Sequence, residues 1–144
     1  MDKKIMKAIK KIAKLPTNNG MRPFETVVHV TEDHIEYTNG YSLIRVKKDI
    51  DLASGCYTKD EMKKELVVPG SAKATEAKYY PNTDAVIPQN TKHVMQVNGT
   101  LLKEVLDVIC ADSRKSNVEI SIEGGQMVIK CEGNMGVVMQ VKTD

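Results

Sequence analysis

Six lysines within the first fifteen residues are the part of this chain whose residue type and spacing could do chemistry. They are Lys3, Lys4, Lys7, Lys10, Lys11 and Lys14. Ammonium groups clustered in this way attract phosphate oxygens whatever the base sequence, so the stretch could contact the backbone of a nucleic acid. Two other interpretations stay open, a solvated helix face and a helix lying on a membrane surface. The membrane interpretation is the weakest, because the stretch has no Trp or Phe.

The lysines need an element that presents them together, and the apolar residues between them predict an α-helix. Ile5, Ala8, Ile9, Ile12 and Leu15 recur at steps of three and four residues, which places them on one side of a helix. No Pro or Gly interrupts residues 1–15. The sequence therefore predicts a helix over 1–15 that packs its apolar stripe on a core and turns its lysines away from that core.

Composition limits what the rest of the chain can be. The 144 residues fit one domain, which is long enough to bury a core. Charged residues make up 28% of the chain, but the net charge is only +2. A role in binding nucleic acid must therefore depend on the uneven distribution of charge, because residues 16–144 hold 15 basic and 18 acidic residues.

No spacing of reactive residues indicates an enzyme, a cofactor or a metal site. Cys56, Cys110 and Cys131 are widely separated and form no Cys-x-x-Cys pair. His29, His34 and His93 are scattered in strand-like segments, where a half-buried structural role is expected. There is no phosphate-binding glycine loop. Unpaired cysteines, the lack of an apolar leader and the lack of a long apolar run favour a cytoplasmic protein that does not enter a membrane.

A helix followed by three strands occurs twice along the chain. The first set is a helix over 1–15 and strands over 24–31, 34–38 and 41–50; the second is a helix over 100–111 and strands over 118–122, 126–130 and 137–142. Asn39-Gly40 and Gly124-Gly125 supply turns at corresponding places. The pattern predicts an α+β domain made of two repeats, with both helices on one face of an antiparallel sheet.

The proposed domain boundaries follow from this repeat. The whole chain, 1–144, is one domain, with repeat one over about 1–52, an insertion over about 53–92 and repeat two over about 93–144. Within these, 60–66 and 71–78 have helix-forming compositions and 93–97 is strand-like. If 71–78 is helical, Lys73 and Lys78 extend the basic surface.

Three short motifs resemble the bacterial DNA sliding clamp, the beta subunit of DNA polymerase III. They are Met21-Arg22-Pro23 before a strand, the hairpin Thr38-Asn39-Gly40-Tyr41-Ser42-Leu43, and the linker from Tyr80-Pro81 to Val86-Ile87-Pro88. The resemblance implies a clamp-like domain whose helices line a ring around duplex DNA, without base readout. It also implies a place near DNA for Arg22, replication proteins such as a polymerase as partners, and self-association.

The chain departs from the clamp pattern in ways that leave a second function open. Clamp chains hold three such domains, so a ring would need about six copies of this one. The second predicted helix has Glu104, Asp107 and the nearby Asp112 against Lys103 alone, which makes a poor phosphate surface. The sequence thus predicts a non-enzymatic processivity-type DNA clamp or, alternatively, a protein-interaction module that no longer encircles DNA. The predicted DNA contacts are Lys3, Lys4, Lys7, Lys10, Lys11, Lys14, Arg22, Lys73 and Lys78.

Overall fold

The computed structural model describes residues 3–15, 26–75, 80–111 and 117–141. It divides into two compact units, Met1–Ile87 and Pro88–Asp144. Each unit combines helices with an antiparallel sheet, so the α+β class predicted from the sequence is confirmed. None of the described helices is long and apolar enough to cross a membrane.

The first unit packs two helices on a four-stranded sheet. Its elements are α1 (Lys3–Ala13), β1 (Val27–Val30), β2 (His34–Thr38), β3 (Leu43–Lys47), β4 (Gly55–Thr58), α2 (Lys59–Val67) and a 3-10 helix at Thr83–Val86. The strand order is β3-β2-β1-β4 and every pairing is antiparallel.

Alternation along the strands places apolar residues on the helix-facing side of this sheet. The buried cluster joins residues of both helices to residues of three strands, and its members are Ile5, Ile9, Ile12, Val28, Val30, Ile35, Tyr37, Leu52, Tyr57 and Met62. Residues at intervening strand positions, such as His29 and Glu36, lie on the opposite face. The core therefore holds α1 by its isoleucine stripe.

Side-chain contacts fix α2 beside α1. Thr58 caps α2 by accepting a hydrogen bond from the Glu61 backbone N–H at 3.1 Å. Lys59 Nζ donates to the Leu15 carbonyl oxygen at 2.7 Å and lies 4.7 Å from the centre of the Tyr37 ring. This ammonium group stands at the C-terminal end of α1, where the helix dipole favours a cation.

The second unit packs one helix on a three-stranded sheet. Its elements are α3 (Gly99–Ile109), β5 (Glu119–Glu123), β6 (Gln126–Cys131) and β7 (Asn134–Met139), in the order β5-β6-β7. Asn98 caps α3 through two backbone N–H groups, those of Thr100 and Leu101. Ile109, Ile129, Cys131 and Val138 form the buried core.

Several sequence predictions agree with these elements, but three were wrong: the strand over 93–97, the helix over 71–78 as far as residue 75, and the single sheet carrying both predicted helices. The helices α1 and α3 pack on separate sheets. The helix over 1–15 and the strand over 34–38 appear at Lys3–Ala13 and His34–Thr38, and the 60–66 helix is α2. However, β4 was not predicted, and the segment 93–97 is not a strand; only Val97 forms a single bridge, to Gln140. The two-repeat origin and the domain boundaries stay predictions.

The predicted helix over 71–78 is wrong over residues 71–75, which are not helical. Their backbone N–H groups have other acceptors: Ala72 donates to Glu65 at 2.9 Å, Lys73 donates to Glu61 at 2.9 Å, and Thr75 donates to the Cys56 carbonyl oxygen. These tertiary hydrogen bonds replace the i to i−4 bonds that a helix would need. Residues 76–78 lie outside the described residues.

The contact between Gly136 of β7 and Val105 of α3 allows a test of the second unit. A Cβ added at Gly136 would collide with Cγ1 of Val105, so Gly136→Ala should destabilise this unit by about 1–3 kcal/mol through overpacking. Chemical denaturation followed by far-ultraviolet circular dichroism measures the change.

Two further variants separate this collision from a general effect of added bulk. Gly99→Ala adds the same methyl group where nothing lies within 4 Å and should not lower the midpoint, since alanine favours helix. Gly136→Ala combined with Val105→Ala should recover part of the loss. Equal midpoints for Gly136→Ala and the unmodified chain would show that α3 does not pack on β7 as described.

Candidate nucleic-acid interface

The lysines of the first helix form a basic face opposite the buried stripe. Ile5, Ile9 and Ile12 are 8%, 1% and 3% exposed, so the orientation of α1 on the sheet is fixed. All six predicted lysines of residues 3–14 are exposed. At 3.6 residues per turn, positions 3, 7, 10 and 14 fall within about 60° of one another, away from the core.

Five of the six lysines of this face form no ion pair with an acid among the described residues. No carboxylate of residues 3–15, 26–75, 80–111 or 117–141 forms an ion pair with Lys3, Lys7, Lys10, Lys11 or Lys14. Like charges at this spacing repel one another by a few tenths of a kcal/mol per pair. Binding of an anion at this face would relieve that repulsion.

A second helix adds lysines that the sequence analysis did not include. Lys63 of α2 lines the same groove as Lys7, Lys10 and Lys14. Lys63 has only a long contact with Asp60 at 4.0 Å, whereas Lys64 is paired with Glu61 at 3.0 Å. Lys63 was missed because α2 was assigned to an insertion, and the neighbouring helix α1 ends at Ala13, far from Lys59 in sequence. The signal available in the sequence was the pair Lys63-Lys64 within the helix-forming segment 60–66.

Of the remaining predicted contacts, Lys73 is the one that lies among the described residues. Lys73 is exposed but lies after α2 in a non-helical segment, where its backbone N–H donates to Glu61. This hydrogen bond, with that from Lys64, lowers the pKa of Glu61 below its usual value. Arg22 and Lys78 lie outside the described residues, as does the segment Met21-Arg22-Pro23.

The third helix is acidic on its solvent side. Glu104 and Asp107 are exposed, and Lys103 is held by Asp107 at 2.7 Å. Hydrogen bonding to that carboxylate raises the pKa of Lys103. The helix therefore offers little net positive charge to a phosphate backbone.

A buried carboxylate organises the opposite face of the first sheet. Glu36 is 2% exposed and takes hydrogen bonds from His29 Nδ1 at 2.8 Å, Arg45 Nε at 2.8 Å and Thr83 Oγ1 at 2.7 Å. His34 Nε2 lies 3.2 Å from the same side chain. His29, Glu36 and Arg45 stand at paired positions of β1, β2 and β3, so the sheet register itself assembles this cluster.

Arg45 extends the cluster to the segment that follows residue 80. Its Nη2 donates to Thr83 Oγ1 at 2.6 Å and to Asp84 Oδ1 at 2.7 Å. Tyr80 packs on His29 with 4.5 Å between ring centres, which leaves it half-buried and not an open platform for stacking. Burial raises the pKa of Glu36, but the hydrogen bonds from His29, Thr83 and Arg45 outweigh burial, so the pKa lies below its usual 4.5.

These contacts also shape a groove of about 350 Å³ beside the β2–β3 hairpin. The hairpin supplies Tyr41 and Leu43, and the segment after residue 80 supplies Pro81 and Val86. The hairpin turn is held by Asn39, whose Oδ1 accepts hydrogen bonds from the Tyr41 and Ser42 backbone N–H groups at 2.9 and 2.8 Å. Tyr41 and Val86 are 82% and 70% exposed, so the groove presents apolar surface to solvent.

The histidines and cysteines form no site for a metal among the described residues. His29 and His34 are half-buried in strands as expected, whereas His93 is exposed and not in a strand. Cys131 is buried, and Cys110 is partly buried. A hydrogen bond to Cys131, together with burial, raises the pKa of the Cys110 thiol, which makes it less reactive.

The fold has a counterpart among solved structures. The crystal structure of the C. crescentus beta sliding clamp is similar to this chain with a TM-score of 0.61 and 14% sequence identity. The similarity covers 95% of this chain and 48% of that chain, so this chain spans about half the length of the clamp. In that crystal structure a polyethylene glycol is bound at a region proposed to tether beta-motifs.

No protein-family model matches the chain, and no curated protein matches it. At 14% identity the similarity concerns the fold. The chain therefore has a clamp-like α+β fold, and the family resemblance inferred from its motifs is supported at that level.

The Glu36 cluster gives a prediction about acid stability. Because its pKa in the folded protein is lowered, ionised Glu36 stabilises the fold above about pH 4.5, and this contribution is lost as the pH falls below that value. Glu36→Gln should lower the free energy of unfolding near pH 7 by roughly 3 kcal/mol, since Arg45 loses its buried partner. The free energy of unfolding of the variant should also change less between pH 5 and pH 3.

The matched control is Glu32→Gln, an exposed glutamate in the turn between β1 and β2. It should leave both the stability and its pH dependence within about 0.5 kcal/mol of the unmodified chain. A Glu36→Gln variant as stable as this control would show that the cluster contributes nothing.

Proposed function

We propose that this chain is a non-enzymatic, sequence-independent DNA-binding protein of clamp-like fold. The observation that supports the proposal is the lysine face of α1. Its ammonium groups are exposed, and those other than Lys4 form no ion pair with a described acidic residue. The proposed phosphate contacts are Lys3, Lys4, Lys7, Lys10, Lys11 and Lys14, with Lys63 added from α2. Arg22, Lys73 and Lys78 remain weaker candidates.

Charge and length suit this surface to the DNA backbone. An 11-residue helix is about 16 Å long, and duplex DNA carries one negative charge per about 1.7 Å of axis. Lysine is a flexible point charge without the planar fork that arginine offers to a base edge. A surface made of lysines should therefore hold phosphates without distinguishing sequences.

Assembly around the duplex is part of this proposal. The similar C. crescentus protein is a sliding clamp, and this chain spans about half of its length. Several copies would have to associate to surround a duplex, with each copy turning its α1 lysines inward. DNA polymerase or other replication proteins are the partners expected of such a clamp.

The DNA proposal predicts a steep dependence on salt. Lys7→Ala combined with Lys10→Ala should weaken binding to a fluorescein-labelled 30-base-pair duplex by about tenfold or more at low salt. It should also reduce the slope of log K against log salt concentration by about two, since two phosphate contacts are lost. Fluorescence anisotropy at several salt concentrations, on two duplexes of unrelated sequence, measures both quantities.

The control replaces two exposed lysines of the second unit, Lys92→Ala with Lys130→Ala. It removes the same charge and should change the slope little. If this control lowers the slope as much as the α1 variant, net charge accounts for the binding and α1 does not. Absence of binding by the unmodified chain at low salt would refute the proposal.

The hairpin groove supports a second candidate function, a protein-interaction module. Its walls place the apolar side chains of Tyr41, Leu43, Pro81 and Val86 beside the hydroxyl groups of Thr38 and Ser42. Apolar walls with a few polar groups are typical of sites that bind a short segment of a partner. The polyethylene glycol in the C. crescentus clamp, bound at its proposed tethering region, is consistent with a groove that accepts an extended chain.

A short apolar peptide tests this candidate. An acetylated pentapeptide with three leucines should shift the amide resonances of Tyr41, Leu43 and Val86 in a nuclear magnetic resonance titration. Val86→Asp should weaken this binding by about fivefold or more, because it places a carboxylate in an apolar wall. Lys7→Ala with Lys10→Ala should not affect it. Shifts spread evenly over the first unit, or unchanged affinity in Val86→Asp, would contradict the candidate.

A further inference from the structure

An apolar floor lies within the basic face, in the groove between α1 and α2. The groove has a volume of about 450 Å³. Its apolar lining, called the floor below, consists of Met6 of α1 with Leu66 and Val67 of α2. Its charged lining, called the rim, consists of Lys7, Lys10, Lys14 and Lys63. Val67 is 80% exposed and its neighbour Val68 is 58% exposed, so the end of α2 presents two aliphatic side chains to water.

Phosphate binding does not account for this floor. A DNA backbone would pair with the ammonium groups, but its deoxyribose carbons offer only a small apolar surface to Met6 and Val67. Burying a valine side chain contributes about 1.5–3 kcal/mol, and a groove that binds only phosphates would forgo that contribution. The floor and the rim together call for a ligand that is apolar in its centre and anionic at its edges.

The shape of the site favours a protein segment over a lipid surface. The groove is concave and lies between two helices, whereas a membrane-surface helix presents a convex apolar face, commonly with Trp or Phe. None of the described residues that line this groove is aromatic. A helix laid into a groove between two others buries a row of side chains at spacings of three and four residues. Its flanking carboxylates would then meet the lysines of the rim.

We propose that the α1–α2 groove is a docking site for an acidic amphipathic helix of a partner protein. Apolar residues of that helix would contact Met6, Leu66 and Val67, and its Asp or Glu side chains would pair with Lys7, Lys10, Lys14 and Lys63. Since all four of these lysines belong to the proposed phosphate surface, the partner helix and DNA would exclude one another. The docking itself does not depend on DNA binding.

The probe is a fluorescein-labelled 16-residue peptide with leucines at positions i, i+3, i+4 and i+7 and glutamates beside them. Val67→Asp should weaken its binding by about tenfold, because the substitution puts a charge on the apolar floor. Val67 is exposed enough for the variant to fold, and circular dichroism checks this. The matched control is Val94→Asp, a valine of the second unit that is 78% exposed and should leave affinity unchanged.

Two further comparisons test the apolar and the ionic parts separately. A scrambled peptide of the same composition has no apolar stripe and should bind at least about tenfold more weakly. Lys7→Glu with Lys63→Glu should also weaken binding of the amphipathic peptide. Val67→Ser, which removes apolar surface without adding charge beside the lysines, should weaken peptide binding and leave DNA binding within about twofold in the same buffer, which separates this proposal from the one for phosphate.

Several outcomes would overturn the proposal. Equal affinity for the amphipathic and scrambled peptides would show that only charge is recognised. Unchanged peptide affinity in Val67→Asp would show that the peptide does not contact the floor. Failure of the peptide to bind, with Val67-dependent binding to vesicles of phosphatidylcholine and phosphatidylglycerol, would assign the groove to a membrane surface instead.

Discussion

Burial of the isoleucine stripe of α1 is the constraint on which the proposed functions of the first unit depend. Ile5, Ile9 and Ile12 pack against the sheet, and the free energy of that burial fixes the rotation of the helix about its axis. The lysines of α1 therefore lie on its solvent side. A basic surface in this chain is therefore a consequence of core packing, because the same periodicity that hides the isoleucines exposes the ammonium groups.

The two faces of the first sheet differ in whether their charged groups are exposed to water or buried. On the helical side, Lys3, Lys7, Lys10, Lys11 and Lys14 of α1 stay in water and form no ion pair with a described acidic residue. On the other side, Glu36 is withdrawn from water and surrounded by His29, Arg45 and Thr83. A buried carboxylate is costly unless every oxygen is satisfied, so that side is specified by hydrogen bonding.

The elements predicted correctly from local sequence are those whose apolar residues show the helix or strand spacing within a few consecutive positions. The helix around Ile5 and Ile9 and the strand with Ile35 and Tyr37 are examples, because each has a full apolar period. The segment after Ser71 misled the prediction, since its helix-forming residues donate to Glu65 and Glu61 instead. Such acceptors are invisible until the chain has folded, because propensity is overridden by tertiary contacts.

The candidate site was predictable in part for the same reason. The lysines of α1 could be found because they are close in sequence, and the resemblance to clamps gave the hairpin and the linker as motifs. Lys63 could not be assigned to the same surface without knowing that α2 packs beside α1. The groove between the hairpin and residues 81–86 also depends on Arg45 meeting Thr83 and Asp84, side chains separated by 38 and 39 positions.

The attachment of Thr83 and Asp84 to Arg45 has a consequence for how the chain can be divided. A fragment truncated after Thr75 would contain every helix and strand of the four-stranded sheet, yet it would leave Glu36 without one of its three hydrogen-bond donors and open to water. A fragment that keeps all three hydrogen-bond donors to Glu36 therefore extends at least to Thr83, whose hydroxyl group sets its C-terminal end.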